Sequence, residues 1–533
     1  DEGHQMVNPS PSEGESVLGK KLVGFNNRRY DNHILYARMM GYDNQGLFRI
    51  SKGIIDKQPN STFREAYNAS YADVYDFAAT KMSLKKWEIE LGITHKELDL
   101  AWDQPVPVDR WSKVGDYCTN DVRATEAVFH HLQADFDARK VLAALSGLTV
   151  NDTTRQHMGR IMFGDERHPQ DDFVYTDLST MFPGYVFEDG HSTYRGEDPS
   201  EGGYVYAEPG VYHDEVLLDV ASKHPTSLIQ LHLFGPYTKR FEEIVRARLA
   251  IKNGDTEKAR TLLNGQLAEF LENPEEAKRL AYALKIVINS VYGLTAARFD
   301  NLFRDPRNSD NIVAKRGALF MIDLKHFVQE MGLSAVHIKT DSIKVPGATP
   351  DQVEEIQAFA RRYGYVLEHE ATYDTMVLFD KAQYIARTEG PGGHWSATGA
   401  LFQDPYVYKR LLSNEEVTLE DLLVTKAVAK GTMYLDFNEA LPENEHDYQF
   451  VGRAGQFMAV QDGGELLVLR DDRYVSVAGT KGYRFITSDA ARTVDWRDPS
   501  VVDAEYYEAK VRSARAQVER FISMQELNSI RKA

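Results

Sequence analysis

Cysteine is almost absent from this sequence, in which Cys118 is the one cysteine among 533 residues. A single thiol excludes an internal disulfide and a cysteine-rich zinc site, and it suits a reducing compartment. Long apolar runs are also lacking, since none approaches the ~20 residues of a membrane helix. The polar first sixteen residues carry neither the basic nor the apolar part of a secretion signal. We therefore expect a cytoplasmic protein.

An excess of positive charge is missing as well. The chain has 62 Lys and Arg against 80 Asp and Glu, which gives a formal net charge of −18. Proteins that bind nucleic-acid phosphates usually carry a basic excess. If this chain binds nucleic acid, its basic residues must line a local groove while its carboxylates lie on solvated outer faces.

The chain does have length, because 533 residues allow roughly three to five packed subdomains. Strand-like runs alternate with helical runs, which favours a mixed α/β or α+β multidomain fold. No internal repeat or long low-complexity tract interrupts them. Loops are expected in the first sixteen residues and from Gly190 to Gly210.

Two amphipathic helices are predicted between Gly235 and Gly293. The first ends at Asn253-Gly254, where residues tolerant of positive φ stop a helix. The second begins at Asn273-Pro274, an N-cap followed by a proline in the first turn. Their apolar stripes are Tyr237, Phe241, Ile244, Val245 and Leu249 in the first helix, and Leu280, Leu284, Val287 and Val291 in the second.

A polar row lies on another face of the second helix. Lys285, Asn289 and Tyr292 follow one another at i, i+4 and i+7, so their tips point the same way. Such a row is either a solvated surface or a binding face presented by a helix that is anchored on its other side.

Two aspartates stand where predicted strands end. Asp219 follows the apolar run Val216–Leu218, and Asp341 lies at the tip of a predicted hairpin between two short β-branched runs. Phosphoryl transfer by two metal ions uses carboxylates from separate chain segments in this way. Taken alone, each residue is better explained as a capping or turn aspartate.

In their order along the chain, three segments resemble the motifs of family-B DNA polymerases. Asp219–Ser227 resembles motif A (Asp-x-x-Ser-Leu-Tyr-Pro-Ser), and Lys339–Ser342 resembles motif C (Asp-Thr-Asp-Ser). Lys285–Gly293 matches motif B (Lys-x-x-x-Asn-Ser-x-Tyr-Gly) at every fixed position. Agreement at five fixed positions, between two aspartate motifs in the right order, makes chance a poor explanation.

The resemblance implies a right-hand polymerase and its division into domains. The expected parts are a partial 3′–5′ exonuclease-like domain of RNase H-like fold (1–145), a linker and first part of the palm (146–232), the fingers (233–295), the second part of the palm (296–405) and the thumb (406–533). The implied activity is template-directed DNA synthesis, in which dNTPs are added to the 3′ end of a primer on template DNA. Two Mg²⁺ ions are the implied cofactors, with Mn²⁺ as a substitute.

The spacing of the motifs indicates a particular branch of the family. Motifs A and B begin at Asp219 and Lys285, only 285 − 219 = 66 positions apart. Protein-primed relatives carry a sizeable insertion there. We therefore expect a phage-type replicative enzyme that extends ordinary primers in the host cytoplasm, together with other phage replication proteins.

The resemblance also assigns roles to single residues. Asp219 and Asp341 are the implied metal ligands, with the carbonyl group of Val220 near one ion, and Lys285 is expected to meet the triphosphate. Arg248 and Lys252, at i and i+4 on the first helix, either complete a phosphate cradle or form an exposed basic face. The other expected nucleotide contacts are Ser222, His224, Asn289, Tyr292 and Gly293, and the expected DNA contacts are Thr340, Ser342, Lys381 and Tyr384.

Three departures from the family pattern bear on the expected chemistry. Lys339 replaces the first aspartate of motif C, so metal binding should depend on Asp341. His224 replaces the tyrosine that closes on the sugar and excludes a 2′-hydroxyl group, which weakens the expected sugar discrimination. Ala382 replaces the second lysine of the Lys-Lys-x-Tyr primer motif.

Two further segments resemble the family's proofreading exonuclease. Asn26, Tyr30 and Asp31 match its second motif, and Tyr117 and Asp121 match its third. The first motif, an Asp-x-Glu pair on an opening strand, is not found in front of them. Either the chain lacks its natural N-terminus, or the activity is lost or completed by another polypeptide.

A last amphipathic helix is predicted from Tyr506 to Met524. Its stripe consists of Tyr507, Val511, Ala514, Val518 and Phe521, with Lys510, Arg512, Arg515 and Arg520 outside it. These basic residues either follow duplex phosphates or are merely solvated. Two other functions remain open for the whole chain: an RNase H-like 3′–5′ exonuclease, and a catalytically silent DNA-binding subunit derived from a polymerase.

Overall fold

The computed structural model describes residues 5–100, 104–390, 393–413, 415–438, 441–442, 445–486, 495–498 and 500–532. Helices and strands are mixed along the chain, as the sequence predicts. The helices are α1 (Pro11–Leu18), α2 (Asp31–Met39), α3 (Asn44–Ile55), α4 (Val74–Phe77), α5 (Leu84–Glu90), α6 (Trp111–His131), α7 (Gln133–Ser146), α8 (Thr154–Phe163), α9 (Lys223–Gln230), α10 (Thr238–Lys252), α11 (Thr256–Thr261), α12 (Pro274–Thr295), α13 (Ile312–Glu330), α14 (Pro350–Arg362), α15 (Pro405–Leu411), α16 (Ala504–Val518) and α17 (Met524–Lys532).

The strands alternate with these helices in the first two thirds of the chain and follow one another closely after residue 423. They are β1 (Val23–Gly24), β2 (Ala72–Asp73), β3 (Val186–Glu188), β4 (His191–Thr193), β5 (Val205–Ala207), β6 (Gly210–Val220), β7 (His337–Lys339), β8 (Ser342–Pro346), β9 (Leu367–Leu378), β10 (Tyr384–Thr388), β11 (Trp395–Thr398), β12 (Val424–Ala427), β13 (Thr432–Asp436), β14 (Tyr448–Gly452), β15 (Ala454–Arg470), β16 (Arg473–Ser476) and β17 (Tyr483–Ile486).

The chain divides into two compact units. The first combines residues 1–157 with 418–506, and the second combines residues 158–417 with 507–533. The limits at residues 157 and 417 lie close to the predicted domain boundaries after residues 145 and 405. The predicted thumb, by contrast, is shared between the two units. The names palm, fingers and thumb therefore stay a prediction.

The first unit has a helical part and a sheet. In the helical part, β1 and β2 pair in parallel, and the rings of Phe77, Phe129 and Phe136 pack together with centroids 5.1–6.2 Å apart. The sheet has the order β12-β15-β13-β14, with β16 and β17 also pairing with the 17-residue β15. The Glu97 carboxylate accepts the backbone N–H groups of Arg453 and Ala454, which joins the two parts.

The second unit is built on a seven-stranded antiparallel sheet of order β11-β10-β9-β6-β8-β7-β5. β6 pairs with β8 on one side and with β9 on the other. Nearly every residue of α13 is buried, as expected for a helix in the centre of a core. Because β6 is paired on both sides, its register is fixed, and so is the position of the residues at its end.

Several local predictions are confirmed. The Asn273 side chain accepts the Glu276 N–H at the start of α12, and the predicted stripe of that helix is 0–1% exposed. The strand end at Asp219 and the hairpin around Asp341 are also present. In α16, the predicted stripe from Tyr507 to Val518 is buried.

Other local predictions are wrong. The first sixteen residues were expected to be loose, but α1 begins there because Ser10 and Glu13 form a capping box. The expected loop from Gly190 to Gly210 contains the short strands β4 and β5. Leu249 is 38% exposed rather than packed, and α16 ends at Val518, before Phe521. No helix in the described ranges is both long and apolar enough to cross a membrane.

Candidate active site

The two predicted metal ligands meet at one edge of the seven-stranded sheet. Asp219 is the second-last residue of β6 and is the register partner of Ser342, the first residue of β8. The next backbone hydrogen bond, from Val220 N–H to the Asp341 carbonyl oxygen, is 2.8 Å long. Paired residues on antiparallel strands lie about 4.5–5.5 Å apart between Cα atoms. Both carboxylates thus come from different segments of the chain to the same place.

The turn that carries Asp341 has an unusual backbone. Thr340 has φ +60°, which is rare for a β-branched residue. Its N–H donates to the Tyr204 carbonyl oxygen at 3.0 Å, and the Asp341 N–H donates to the Lys339 carbonyl oxygen at 2.8 Å. Gly203 lies against it, where a Cβ atom would be 3.0 Å from the Thr340 methyl group. Neighbouring segments therefore hold the turn in a conformation that it would otherwise avoid.

Negative charge accumulates around Asp219. Partial burial, the Asp341 carboxylate and two further carboxylates, Glu370 and Glu368, raise the pKa of Asp219 to about 7. Glu368 is the register partner of Asp219 on β9. We did not predict either glutamate, because neither belongs to a motif and only the pairing of β6 with β9 brings them to the site.

A buried lysine also lies at the site and was not singled out from the sequence. Lys223 is 3% exposed, and its Nζ atom donates to the Thr340 carbonyl oxygen at 2.5 Å. Burial lowers the pKa of Lys223 to about 8, while the charges of Asp341 and Asp219 act in the opposite direction. The one sequence signal was its position in motif A, where the family pattern has leucine.

The donor set fits Mg²⁺. The carboxylates of Asp219 and Asp341, with the neighbouring Val220 carbonyl group, are oxygen ligands of the type that this ion prefers. Burial and the neighbouring carboxylates raise the pKa of Asp219, and a bound cation would favour its charged form. In the described residues no three His, Cys, Asp or Glu side chains converge closely enough for a metal site made of protein alone. Mg²⁺ in phosphoryl-transfer sites takes its remaining ligands from water and substrate phosphates.

Motifs A and B also touch each other. The rings of His224, on α9, and Tyr292, on α12, are stacked with centroids 3.8 Å apart and planes inclined by 1°. Burial and the nearby Lys223 charge lower the pKa of His224 to about 4, so its ring is neutral at pH 7. Its Nδ1 atom is buried without a hydrogen-bond partner in the structure.

The remaining predicted nucleotide contacts lie in the same unit. On α12, Lys285, Asn289 and Gly293 are exposed, opposite the buried stripe, so a polar face is presented. On α10, which packs against α12, Arg248 is half-buried and Lys252 is exposed. Ser222 precedes α9 with φ +54°. Their binding roles stay predictions.

The predicted primer contacts lie near the same hairpin. The Lys381 carbonyl oxygen accepts a hydrogen bond from His337 Nε2, on β7, at 3.3 Å. The Lys344 ammonium group, on β8, is 4.7 Å from the Tyr384 ring centroid. Ser342 Oγ donates to the Lys339 carbonyl oxygen at 3.4 Å. The segment from Lys381 to Tyr384 is thereby tied to the strands that flank Asp341.

The exonuclease-like residues gather in the first unit. Asp31 begins α2, and burial of its carboxyl group, together with the carboxylates of Asp73 and Asp121, raises its pKa to about 6, although the residue as a whole is exposed. Asp73, which we did not predict, accepts the N–H groups of Asn26 and Arg28 at 2.7 and 3.1 Å. It fixes the turn that leads to Asp31.

A lysine occupies part of this second cluster. Lys85 Nζ is 2.5 Å from the Asp121 carboxylate and 4.2 Å from the Tyr117 ring centroid. Tyr30 donates to or accepts from Ser51 Oγ at 2.7 Å. Sequence reasoning missed Lys85, which lies on α5, outside both matched motifs.

Known proteins give little further information. No protein-family model and no curated protein matches the sequence. Among solved structures, the chain is similar to the family B DNA polymerase from the hyperthermophilic archaeon Pyrobaculum calidifontis, with 14% sequence identity and a TM-score of 0.43. The match covers 94% of this chain and 70% of that chain. A likeness at this level carries no functional inference.

The charge around Asp219 predicts a pH-dependent stability without divalent cations. Folded Asp219 keeps its proton up to about pH 7, whereas the unfolded residue loses it near its ordinary value of 3.8. The folded state therefore loses stability as the pH rises from 4 to 7, because it binds more protons than the unfolded state over that range. Asp219→Asn should raise the Tm more at pH 8 than at pH 5. Asp214→Asn, at an exposed position of the same strand, is the matched control, and an Asp219→Asn effect that is equal at both pH values would contradict the assignment.

Proposed function

We propose that this chain is a template-directed DNA polymerase of the family-B type, which adds dNTPs to the 3′ end of a primer. The observation that carries the proposal is the convergence of three distant segments in one unit. Asp219 and Asp341 share a sheet edge, and His224, five residues after Asp219, stacks on Tyr292 of the helix that presents Lys285. These segments are the ones that resemble motifs A, C and B.

Asp219 and Asp341 would hold two Mg²⁺ ions, with the carbonyl group of Val220 beside them. When bound, the ions neutralise phosphate charge and lower the pKa of the attacking primer hydroxyl group. The contribution of the protein is to keep both carboxylates in position before substrate arrives. The sheet pairing does this, so little ordering is left for the moment of reaction.

Lys285 supports binding of the incoming nucleotide. It is exposed on the face of α12 that also carries Asn289 and Tyr292, within the same unit as the carboxylates. A lysine ammonium group is a compact charge that suits phosphate oxygens. Arg248 and Lys252 on the adjoining α10 extend this cation set. The net charge of −18 is compatible with such a local cluster, because only the binding groove needs basic residues.

The stacked pair of His224 and Tyr292 supports a pocket for the sugar of the nucleotide. The two stacked rings, with centroids 3.8 Å apart, form a rigid wall of this pocket. The imidazole ring is neutral at pH 7, so it adds no positive charge there. His224 stands where the family pattern has the larger tyrosine. We therefore infer that this wall excludes a 2′-hydroxyl group less completely, so that some ribonucleotide is incorporated.

An exonuclease as the main activity has weaker support. Asp31 and Asp121 are close enough to interact, but Lys85 already neutralises Asp121. A hydrolytic site also has no use for the cation face of α12. We infer that the first unit binds DNA or retains an editing role that depends on carboxylates from outside the described residues, supplied by this chain or by another polypeptide.

A primer-extension assay tests the polymerase proposal. With a primed template, four dNTPs and Mg²⁺, the wild-type chain should extend the primer. Asp219→Ala and Asp341→Ala should each reduce extension to less than a few per cent, because each removes a metal ligand. Primer–template affinity should stay within a few-fold, because it depends on basic residues.

The matched control is Asp374→Ala, which removes a carboxylate from β9 of the same sheet, where it pairs with Arg387 rather than with Asp219. This control should keep most of the activity. Extension by either Asp219→Ala or Asp341→Ala at a tenth of the wild-type rate or more would overturn the proposal.

Sugar selection tests the role of His224. Replacing His224 with tyrosine should improve the selection of dNTP over rNTP, because the larger ring presses more closely on a 2′-hydroxyl group. Replacing it with alanine should worsen the selection, because the ring is then lost. Steric exclusion of this kind is typically worth ~1–3 kcal/mol, or roughly 10–200-fold. The measurement is the ratio of kcat/KM for dNTP and rNTP in the three proteins. Equal ratios would mean that another residue or the backbone excludes the 2′-hydroxyl group.

A further inference from the structure

Lys223 occupies a space that the structure keeps open for it. Its side chain crosses α13 at Gly317, where an added Cβ atom would lie 2.1 Å from Lys223 Cε and 3.2 Å from both Cδ and Nζ. Glycine inside a helix is unfavourable relative to alanine. At this point of a buried helix, glycine lets the lysine pass from α9 to the carboxylate edge of the sheet.

The end of that side chain meets the one strained residue of the turn that carries Asp341. Thr340 has φ +60°, and both of its backbone polar groups are bound to other segments. Its N–H donates to the Tyr204 carbonyl oxygen, and its carbonyl oxygen accepts Lys223 Nζ at 2.5 Å. A strained conformation persists only when its surroundings over-determine it. The hydrogen bond from Lys223 is one of the two that hold Thr340 in this conformation.

The position of the ammonium group also matters electrostatically. Lys223 interacts with the charges of both Asp341 and Asp219, and it is 3% exposed, so water screens the interaction weakly. A buried ammonium group is costly unless it is paired and hydrogen-bonded. Nothing in the packing of α9 or α13 requires a charge there, since an apolar side chain of equal length would fill the same space.

We propose that Lys223 is a built-in cation that positions the Asp341 turn against Asp219 before any metal ion binds. It acts through Thr340 and the two carboxylates and touches no substrate, so it is a positioning residue. This proposal rests on the proposed polymerase function, because the geometry it maintains is that of the catalytic carboxylates. Lys223 then has two opposing effects. It places the proposed metal ligands correctly, and its positive charge weakens the attraction of these ligands for divalent cations.

The first test is Lys223→Met, which keeps the length and removes the charge. We expect kcat for primer extension to fall about 10- to 100-fold, because a hydrogen bond to a charged group is lost from a strained turn. The dNTP KM should change less than threefold, since Lys285 is untouched. The Tm should fall, because the Thr340 carbonyl oxygen loses its partner and the carboxylates of Asp219 and Asp341 lose a neighbouring positive charge, so kcat is compared well below the Tm of both proteins. Lys258→Met, an exposed lysine on α11, is the matched control and should leave all three quantities unchanged.

The second test moves the lysine without replacing it. Gly317→Ala should push the end of the Lys223 side chain away from Thr340 and lower kcat to a similar extent, although alanine favours the helix. In a Lys223→Ala background, where no long side chain passes Gly317, Gly317→Ala should change kcat less than twofold, because the two substitutions act on one contact. Gly202→Ala is the control, since a Cβ atom there meets nothing within 4 Å.

The third test needs no catalysis. Binding of Mn²⁺ alone to the DNA-free chain, followed by electron paramagnetic resonance, should be about 3- to 10-fold tighter in Lys223→Met than in the wild type, because a like charge has been removed from the site. Asp341→Ala should weaken Mn²⁺ binding in both backgrounds. A gain in Mn²⁺ affinity together with a loss of kcat is the combination that a merely structural lysine would not produce.

The outcomes separate this proposal from the polymerase assignment. If the wild-type chain fails to extend primers, the polymerase assignment is wrong. The Mn²⁺ measurement still tests the effect of the Lys223 charge on metal binding. If extension is normal but Lys223→Met alters kcat less than twofold, the positioning role is wrong. If Lys223→Met weakens Mn²⁺ binding, the proposed repulsion between Lys223 and divalent cations is wrong. Additive effects of Lys223→Ala and Gly317→Ala on kcat would likewise overturn the positioning role.

Discussion

The site depends on one constraint: the pairing of β6 with β8 brings two carboxylates of like charge to the same edge of a sheet. Asp219 and Asp341 repel each other there, and Glu368 and Glu370 on β9 add to the repulsion. Nothing local favours that arrangement. It is maintained because β6 is paired on both sides within a seven-stranded sheet and its apolar residues are buried, so its register cannot slip without exposing them.

The surrounding residues reduce the cost of this arrangement in different ways. Asp219 takes up a proton near pH 7, and Lys223 brings a positive charge to the carboxylates from within the fold. The strained turn at Thr340 is held by bonds from both sides. Stability is thus given up locally, and an oxygen-rich site exists in advance of the cation that we propose it binds. The same balance explains why removing the carboxylate charge of Asp219 is expected to stabilise the metal-free fold and to impair the proposed chemistry.

The sequence predicted those parts of the structure that have local causes. The start of α12 follows from Asn273 and Pro274, and its orientation follows from a stripe of apolar residues at helical spacing. The strand end at Asp219 and the turn at Asp341 were also visible as local patterns. That these residues would meet was inferred only from the resemblance to polymerase motifs, since nothing local encodes the pairing of strands more than 100 positions apart.

The residues that were missed depend on distant parts of the chain. Lys223 lies in a segment that suggests an exposed lysine near a helix start, and its burial depends on Gly317, 317 − 223 = 94 positions later. Glu368 faces Asp219 because of the register between β6 and β9, which includes an irregularity near Leu217. In the first unit, packing of separate segments brings Lys85 to Asp121 and brings Asp73 to the backbone N–H groups of Asn26 and Arg28. Composition or spacing does not reveal such contacts, because tertiary packing creates them.

The central claim is that Asp219 and Asp341 together hold the metal ions of nucleotide transfer. The most direct measurement is anomalous X-ray diffraction from crystals of the chain with a dideoxy-terminated primer–template, the next dNTP and Mn²⁺. The account predicts anomalous peaks within about 2.0–2.3 Å of carboxylate oxygens of both aspartates and of the triphosphate oxygens. Metal and triphosphate bound elsewhere, with neither Asp219 nor Asp341 as a ligand, would contradict it.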